Sequence, residues 1–238
     1  MQKNIKTVVI TPEKDSSTGM LPVVYLLHGA NGNYSDWIKK VEGIKEYADS
    51  FNIIIVCPDG GSTSWYFDSP IDTSSKYETF ISAELVNAID SKYNTIRDRN
   101  GRAIVGLSMG GHGALYLAFR HQDIYSAVGS MSGGVDIRPF PNSWDIEKRL
   151  GSYSKFTENW ERNTVINMLY LLKPNALEII LDCGTEDFFF EVNKNLHQQL
   201  LYRNIPHDFI VRPGGHDWAY WSNSIKFQLL YMAIHFKR

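Results

Sequence analysis

Ser108, Asp187 and His216 are the three residue types that together make a hydroxyl nucleophilic, and each follows a strand-like run. A serine hydroxyl attacks poorly until a base takes its proton, and the base must be oriented by a third group. Ser108 is the centre of Gly106-Leu107-Ser108-Met109-Gly110, a G-x-S-x-G pattern. Alone, that pattern is weak. Its context makes it strong: Ala103-Ile104-Val105 reads as a short buried strand and residues 114–119 as a helix. A serine on so sharp a strand-to-helix turn is held in a strained backbone conformation that lifts Oγ above the sheet. The expected chemistry is that of a serine hydrolase.

Where a strand–elbow–helix serine is used, the chain order is serine, acid, histidine. Asp182, Glu186 and Asp187 closely follow the apolar run 177–181. Asp182 belongs to the strand end and Glu186 is expected to face solvent, which leaves Asp187, in the turn Gly184-Thr185-Glu186-Asp187-Phe188, as the preferred acid. Among the histidines, His197 falls mid-helix and His207 opens a strand. His216 lies in a Gly-rich loop between the last strand and the last helix, from which it can reach back over the sheet. His28, His112, His121 and His235 have no comparable placement, and no zinc-ligand spacing is visible, so no metal or cofactor is expected.

A developing oxyanion needs two N–H donors already aimed at it. The N–H of Met109, at a helix N-terminus, supplies one. The N–H of Ala30, in the loop Leu26-Leu27-His28-Gly29-Ala30-Asn31-Gly32, supplies the other, with His28 as a brace of that loop. Trp65, Tyr66 and Trp218 near strand ends are the candidate substrate-binding walls. Trp218 and Trp221 also fit the buried face of the last helix, and Phe188-Phe189-Phe190 is expected to be buried at a helix start.

These residues need a scaffold, and the chain alternates strands with helices. Apolar runs at 23–27, 53–56, 103–105, 127–129, 177–181 and 209–211 predict strands covered on both faces. Tyr77, Ile81, Leu85, Ala88 and Ile89 share one helical face, as do Trp218, Trp221, Ile225, Leu229 and Ala233. The pattern predicts a doubly wound, mostly parallel α/β sheet with right-handed crossovers and ligands beyond the carboxyl ends of the strands. Residues 134–173 are too long for one crossover and predict a small cap insertion closed by a helix at 165–172.

With 238 residues the chain suits one domain, residues 1–238. A formal charge of −2, without a basic run, argues against a nucleic-acid partner. No apolar run is long enough to cross a bilayer, and residues 1–10 are too short an apolar run for a signal peptide, so a cytoplasmic location is the default expectation. Cys57 and Cys183 each follow a strand-like run and are expected as buried free thiols. The expected partner is a small-molecule or oligosaccharide-linked ester, and a homo-oligomer is compatible with the sequence.

Across nearly its full length the chain resembles the esterase D family of α/β-hydrolases, most closely its tributyrin-esterase and feruloyl-esterase branch. The residues that carry the resemblance are Tyr25-Leu26-Leu27-His28-Gly29, Asp36-Trp37, Cys57-Pro58-Asp59-Gly60-Gly61, Ser64-Trp65-Tyr66, the elbow through Gly113, the Asp187 turn and Gly215-His216-Asp217-Trp218 through Trp221. The resemblance implies Ser108, Asp187 and His216 as the triad and Ala30 and Met109 as oxyanion donors. It implies hydrolysis of short-chain or feruloyl-type esters, with mycolyl-type acyl transfer, S-formylglutathione hydrolysis or a non-catalytic binding role as alternatives. Asn31-Gly32-Asn33-Tyr34-Ser35 stands where the S-formylglutathione hydrolase branch has Cys-Thr-Asp-Glu-Asn, which argues against the thioester. Relatives carry one or two strands ahead of 23–27, so a trimmed sheet edge is expected here.

Overall fold

The computed structural model describes Met1 and residues 3–13 and 19–237. The strands are β1 (Thr7–Ile10), β2 (Val23–Leu27), β3 (Ile54–Pro58), β4 (Arg102–Leu107), β5 (Ala127–Met131), β6 (Glu178–Gly184) and β7 (Asp208–Arg212). They form one sheet in the order β1-β3-β2-β4-β5-β6-β7. All neighbours are parallel except β1, which pairs antiparallel with β3 along the edge. β1 is only four residues long, Thr-Val-Val-Ile, and half-buried along most of its length, so it is too short a run to stand out as a covered strand.

Strand side chains point alternately to the two faces, and each face has its own core. Val23, Tyr25 and Leu27 join Ile104 and Val128 on one side, and Val24 and Leu26 join Ala103, Val105 and Ala127 on the other. On the first side lie α3 (Tyr77–Thr79), a π-helical turn (Phe80–Leu85), α4 (Val86–Lys92), α5 (Met109–Arg120) and α8 (Phe190–Tyr202). The second is covered by α1 (Asp36–Lys40), α2 (Ile44–Phe51) and α9 (Trp218–His235). The π turn rotates the helix after Phe80, so that Val86 is buried and Ala88, expected on the apolar face, is exposed.

Between β5 and β6 the chain makes α6 (Ile146–Leu150), α7 (Thr157–Asn163) and a 3₁₀ helix (Val165–Leu171). The segment expected to close as an ordinary helix is therefore the tighter 3₁₀ form. Its Val165, Met168 and Leu169 are buried, at spacings of three and four. Cys57 and Cys183 are both buried and free. Among the described residues no helix is long and apolar enough to cross a membrane, and no group of three or more His, Cys, Asp or Glu side chains could hold a metal ion.

Candidate active site

Ser108 sits between β4 and α5 with φ 54° and ψ −118°, a left-handed backbone that no helix or strand residue adopts. Close packing imposes it. A Cβ on Gly106 would lie 2.2 Å from the Gly110 carbonyl oxygen, and one on Gly110 would lie 2.6 Å from the carbonyl oxygens of Leu27 and His28. The elbow is thus pressed between its own helix and the end of β2, and only glycine fits at either flank. The Ser108 N–H is tied to the Met131 carbonyl of β5 at 2.9 Å, which fixes the turn to the neighbouring strand.

Asp187 and His216 arrive from the next two strand ends. The loops after β6 and β7 are laced together: Thr185 N–H donates to Arg212 O at 2.9 Å and Glu186 N–H to Gly214 O at 3.0 Å. Gly184 lies so close to Gly214 that a Cβ would stand 2.1 Å from its carbonyl oxygen. Below them Asp182 is fully buried in β6, where Tyr220 Oη (2.5 Å) and Arg212 Nη2 (2.5 Å) donate to its carboxylate. Burial holds the Asp182 carboxyl above the usual carboxylate range. Glu186 is exposed.

The three residues meet in one line. His216 Nε2 lies 2.9 Å from Ser108 Oγ, and His216 Nδ1 lies 2.9 and 3.0 Å from the two oxygens of Asp187. A carboxylate only accepts, so Nδ1 carries the proton and Nε2 presents its lone pair to the serine hydroxyl. Asp187 is 5% exposed and also accepts the Phe189 N–H at 2.8 Å, which anchors it against rotation.

Ala30 borders the same cleft, and Met109 opens α5 beside it. Tyr66 Oη donates to His28 O at 3.0 Å. His28 takes the Gly60 N–H on Nε2 and donates from Nδ1 to Gly29 O, both at 2.8 Å. That ring is therefore a neutral brace, and burial lowers its pKa. The Trp65 N–H points to the Met109 sulfur at 3.4 Å.

These contacts correct the expectation that Trp65 and Tyr66 wall the substrate. They are 1% and 0% exposed and lie beneath the two donor-bearing loops. Both adopt left-handed backbone angles, φ 54° and 62°, which fold their loop back under the strand ends instead of over them.

Trp218 does line the cleft, a concavity of about 280 Å³, together with Trp144, Phe188 and Trp221. Phe188 is 52% exposed, against the expected burial, and it is Phe189 that fills the core. Phe188 packs over His216 at 4.2 Å between ring centroids and stacks on Trp144 at 5.7 Å. Trp144 belongs to an irregular stretch with no periodic signal. Its left-handed backbone and that of Asp145, φ 48° and 55°, are visible only in the folded chain.

The sequence matches the model of the Esterase family, described as "Putative esterase", over residues 1–232. An acetyl esterase of Caldicellulosiruptor saccharolyticus is 26% identical over 245 residues, 94% of this chain and 91% of that protein. A diacylglycerol acyltransferase/mycolyltransferase Ag85A of Mycobacterium leprae is 40% identical over 241 residues, 86% of this chain and 72% of the relative. A solved ferulic acid esterase superposes with a TM-score of 0.80 at 28% identity, covering 98% of both chains. The chain therefore belongs to the Esterase family of α/β-hydrolases, and it is a serine esterase.

Proposed function

We propose that Ser108 is the nucleophile, His216 its general base and Asp187 the residue that orients and stabilises the imidazolium. The observation that carries this reading is the 2.9 Å approach of His216 Nε2 to Ser108 Oγ, with Asp187 on the opposite ring nitrogen. His216 takes the serine proton as Oγ attacks the ester carbonyl and returns it to the leaving alcohol. Water then repeats the sequence on the acyl-enzyme. The N–H groups of Ala30 and Met109 receive the oxyanion, the second helped by the N-terminal dipole of α5.

The acyl group lies against Phe188, Trp144, Trp218 and Trp221, a wall suited to a short acyl chain or a planar aromatic acid, and residues 134–173 act as a small cap. The names of the acetyl esterase and ferulic acid esterase relatives support both kinds of acyl group. The alcohol is expected to be carried on a carbohydrate. Transfer of the acyl group to a hydroxyl acceptor instead of water is a second reading, favoured by the 40% identity to a protein named as an acyltransferase.

Ser108→Ala is expected to lower kcat on p-nitrophenyl butyrate by about 10⁴-fold or more, with melting temperature unchanged. A fluorophosphonate probe should label wild-type protein and not the variant. Residual activity above a few per cent sinks the assignment. Product analysis with and without added sugar separates hydrolysis from transfer.

A further inference from the structure

Asp187 follows Asp182 by five positions, and His216 stands midway between Arg212 and Tyr220, four positions from each. Both of these flanking residues donate to the Asp182 carboxylate, Arg212 to Oδ2 and Tyr220 to Oδ1. The segment that carries the base is therefore a loop pinned at both ends to the strand that carries the acid. Arg212 closes β7, whose register sets it opposite Gly184, and Tyr220 lies in the first turn of α9. Arg212 Nη2 also donates to Ser224 Oγ at 2.7 Å, which ties the same point to the following turn of α9.

The Tyr220 ring lies directly against both loops. A Cβ on Gly214 would stand 2.5 Å from Tyr220 Cδ2, and one on Gly184 would stand 3.1 Å from Cε2. Asp217, next to His216, accepts the Tyr220 N–H on Oδ1 at 2.9 Å, so the backbone and the side chain of Tyr220 are each held. The residues that line the Ser108 cleft do not include Asp182, Arg212 or Tyr220. An ion pair on a fully buried carboxylate adds little net stability, because taking the charges out of water offsets their attraction. What the charges supply is direction: a carboxylate with a donor on each oxygen has one orientation, and so do its donors.

We propose that Tyr220, Asp182 and Arg212 are positioning residues that set the distance between Asp187 and His216, a proposal that rests on those two as the acid and base serving Ser108. Productive geometry in such a constellation must be held within about 0.5 Å. Freeing one end of the 213–219 loop lets His216 drift from Asp187 and Ser108 while the aromatic wall stays in place. The loss therefore falls on kcat and not on KM.

Kinetics on p-nitrophenyl butyrate separate this role from plain support of the fold. Tyr220→Phe removes the Oη bond and keeps the ring. Well below its melting temperature it should lower kcat about tenfold, with KM within about twofold of wild type. In an Asp187→Asn background the same change should cost less than about twofold, because the geometry it protects is already lost. Arg212→Met should match Tyr220→Phe, and Arg212→Lys, which restores a donor to Asp182, should regain most of the loss. A Tyr220→Phe variant that melts earlier but keeps its kcat reduces the network to fold support and overturns the proposal. A loss that multiplies in full with Asp187→Asn, or that appears in KM, overturns it too. If Tyr220→Phe does not fold, the Arg212 pair decides, and equal kcat in Arg212→Met and Arg212→Lys counts against the proposal. A wild-type protein that a fluorophosphonate probe does not label removes the Ser108 reading itself.

Discussion

The floor and the wall of the cleft are held in different ways. The floor, where Ser108, Asp187 and His216 converge, hangs on backbone bonds and on glycines pressed within 2.1 to 2.6 Å of neighbouring carbonyls were a Cβ present. The wall, Trp144 and Phe188, rests on ring contacts between half-exposed side chains at the start of the five-residue α6 and before α8. Backbone bonds fix atoms to a few tenths of an ångström, which proton transfer needs. Ring contacts tolerate exchange of one side chain for another. Accuracy therefore resides in the floor, and selectivity can change at the wall without disturbing it.

The floor should fail as a unit. His216→Ala should be about as damaging as Ser108→Ala, and the double variant little worse than either, read from kcat on p-nitrophenyl butyrate. Additive losses would mean that His216 serves something other than Ser108. Asp187→Asn should cost several orders of magnitude in kcat, by favouring the wrong imidazole tautomer. Glu186→Gln, at an exposed neighbouring position, should be nearly silent. A reversal of that pair would move the acid by one residue.

A third effect comes from beneath the elbow. His112 of α5 is fully buried, donates to Gly134 O at 3.0 Å, and has its pKa pushed down to about 4 by burial. The unfolded chain binds a proton at this residue below about pH 6.5, and the folded chain does so only near pH 4. Its contribution is therefore fully present above that range and is lost as pH falls through it, by up to about 3 kcal/mol. His112→Phe should flatten the corresponding part of the melting temperature against pH. An unchanged slope would show that folding leaves the ring at its ordinary pKa.

The wall should respond more gently. Wild type should be fastest on p-nitrophenyl acetate to butyrate and slow by octanoate, because added methylenes meet Trp144 and Phe188 instead of contributing their usual ~0.8 kcal/mol each. Trp144→Ala should raise the octanoate-to-butyrate ratio about tenfold with little change on acetate. A ratio that does not move would place the chain limit elsewhere. The smallest effect is expected from Tyr66→Phe. Losing the 3.0 Å bond to His28 O should cost about 1 kcal/mol, seen as a several-fold fall in kcat at unchanged KM.

The floor was legible in the sequence because each of its signals is local: a glycine pattern after a strand, an acid in the next turn, a histidine in a Gly-rich loop. The sheet was legible for the same reason, except for β1, whose four residues are too short a run to stand out as a strand. The wall was not. Trp144 has no periodicity around it, and its place in the wall is set by stacking on Phe188, 44 positions later in the chain. Trp65 and Tyr66 were misplaced because aromatic residues at a strand end look alike whether their loop turns outward or, through two left-handed residues, underneath.

The proposed oxyanion donors belong to the main chain at Ala30 and Met109, and this shapes how the protein can vary. No substitution deletes a backbone N–H except proline, so these two positions can drift in side-chain identity while the charge-stabilising groups persist. The genetic fragility is displaced onto neighbours that never meet the substrate: the glycines at 106, 110 and 184. A lineage that explores new esters can therefore rewrite the wall freely, and damaging alleles should concentrate among residues that look, from the cleft, like bystanders.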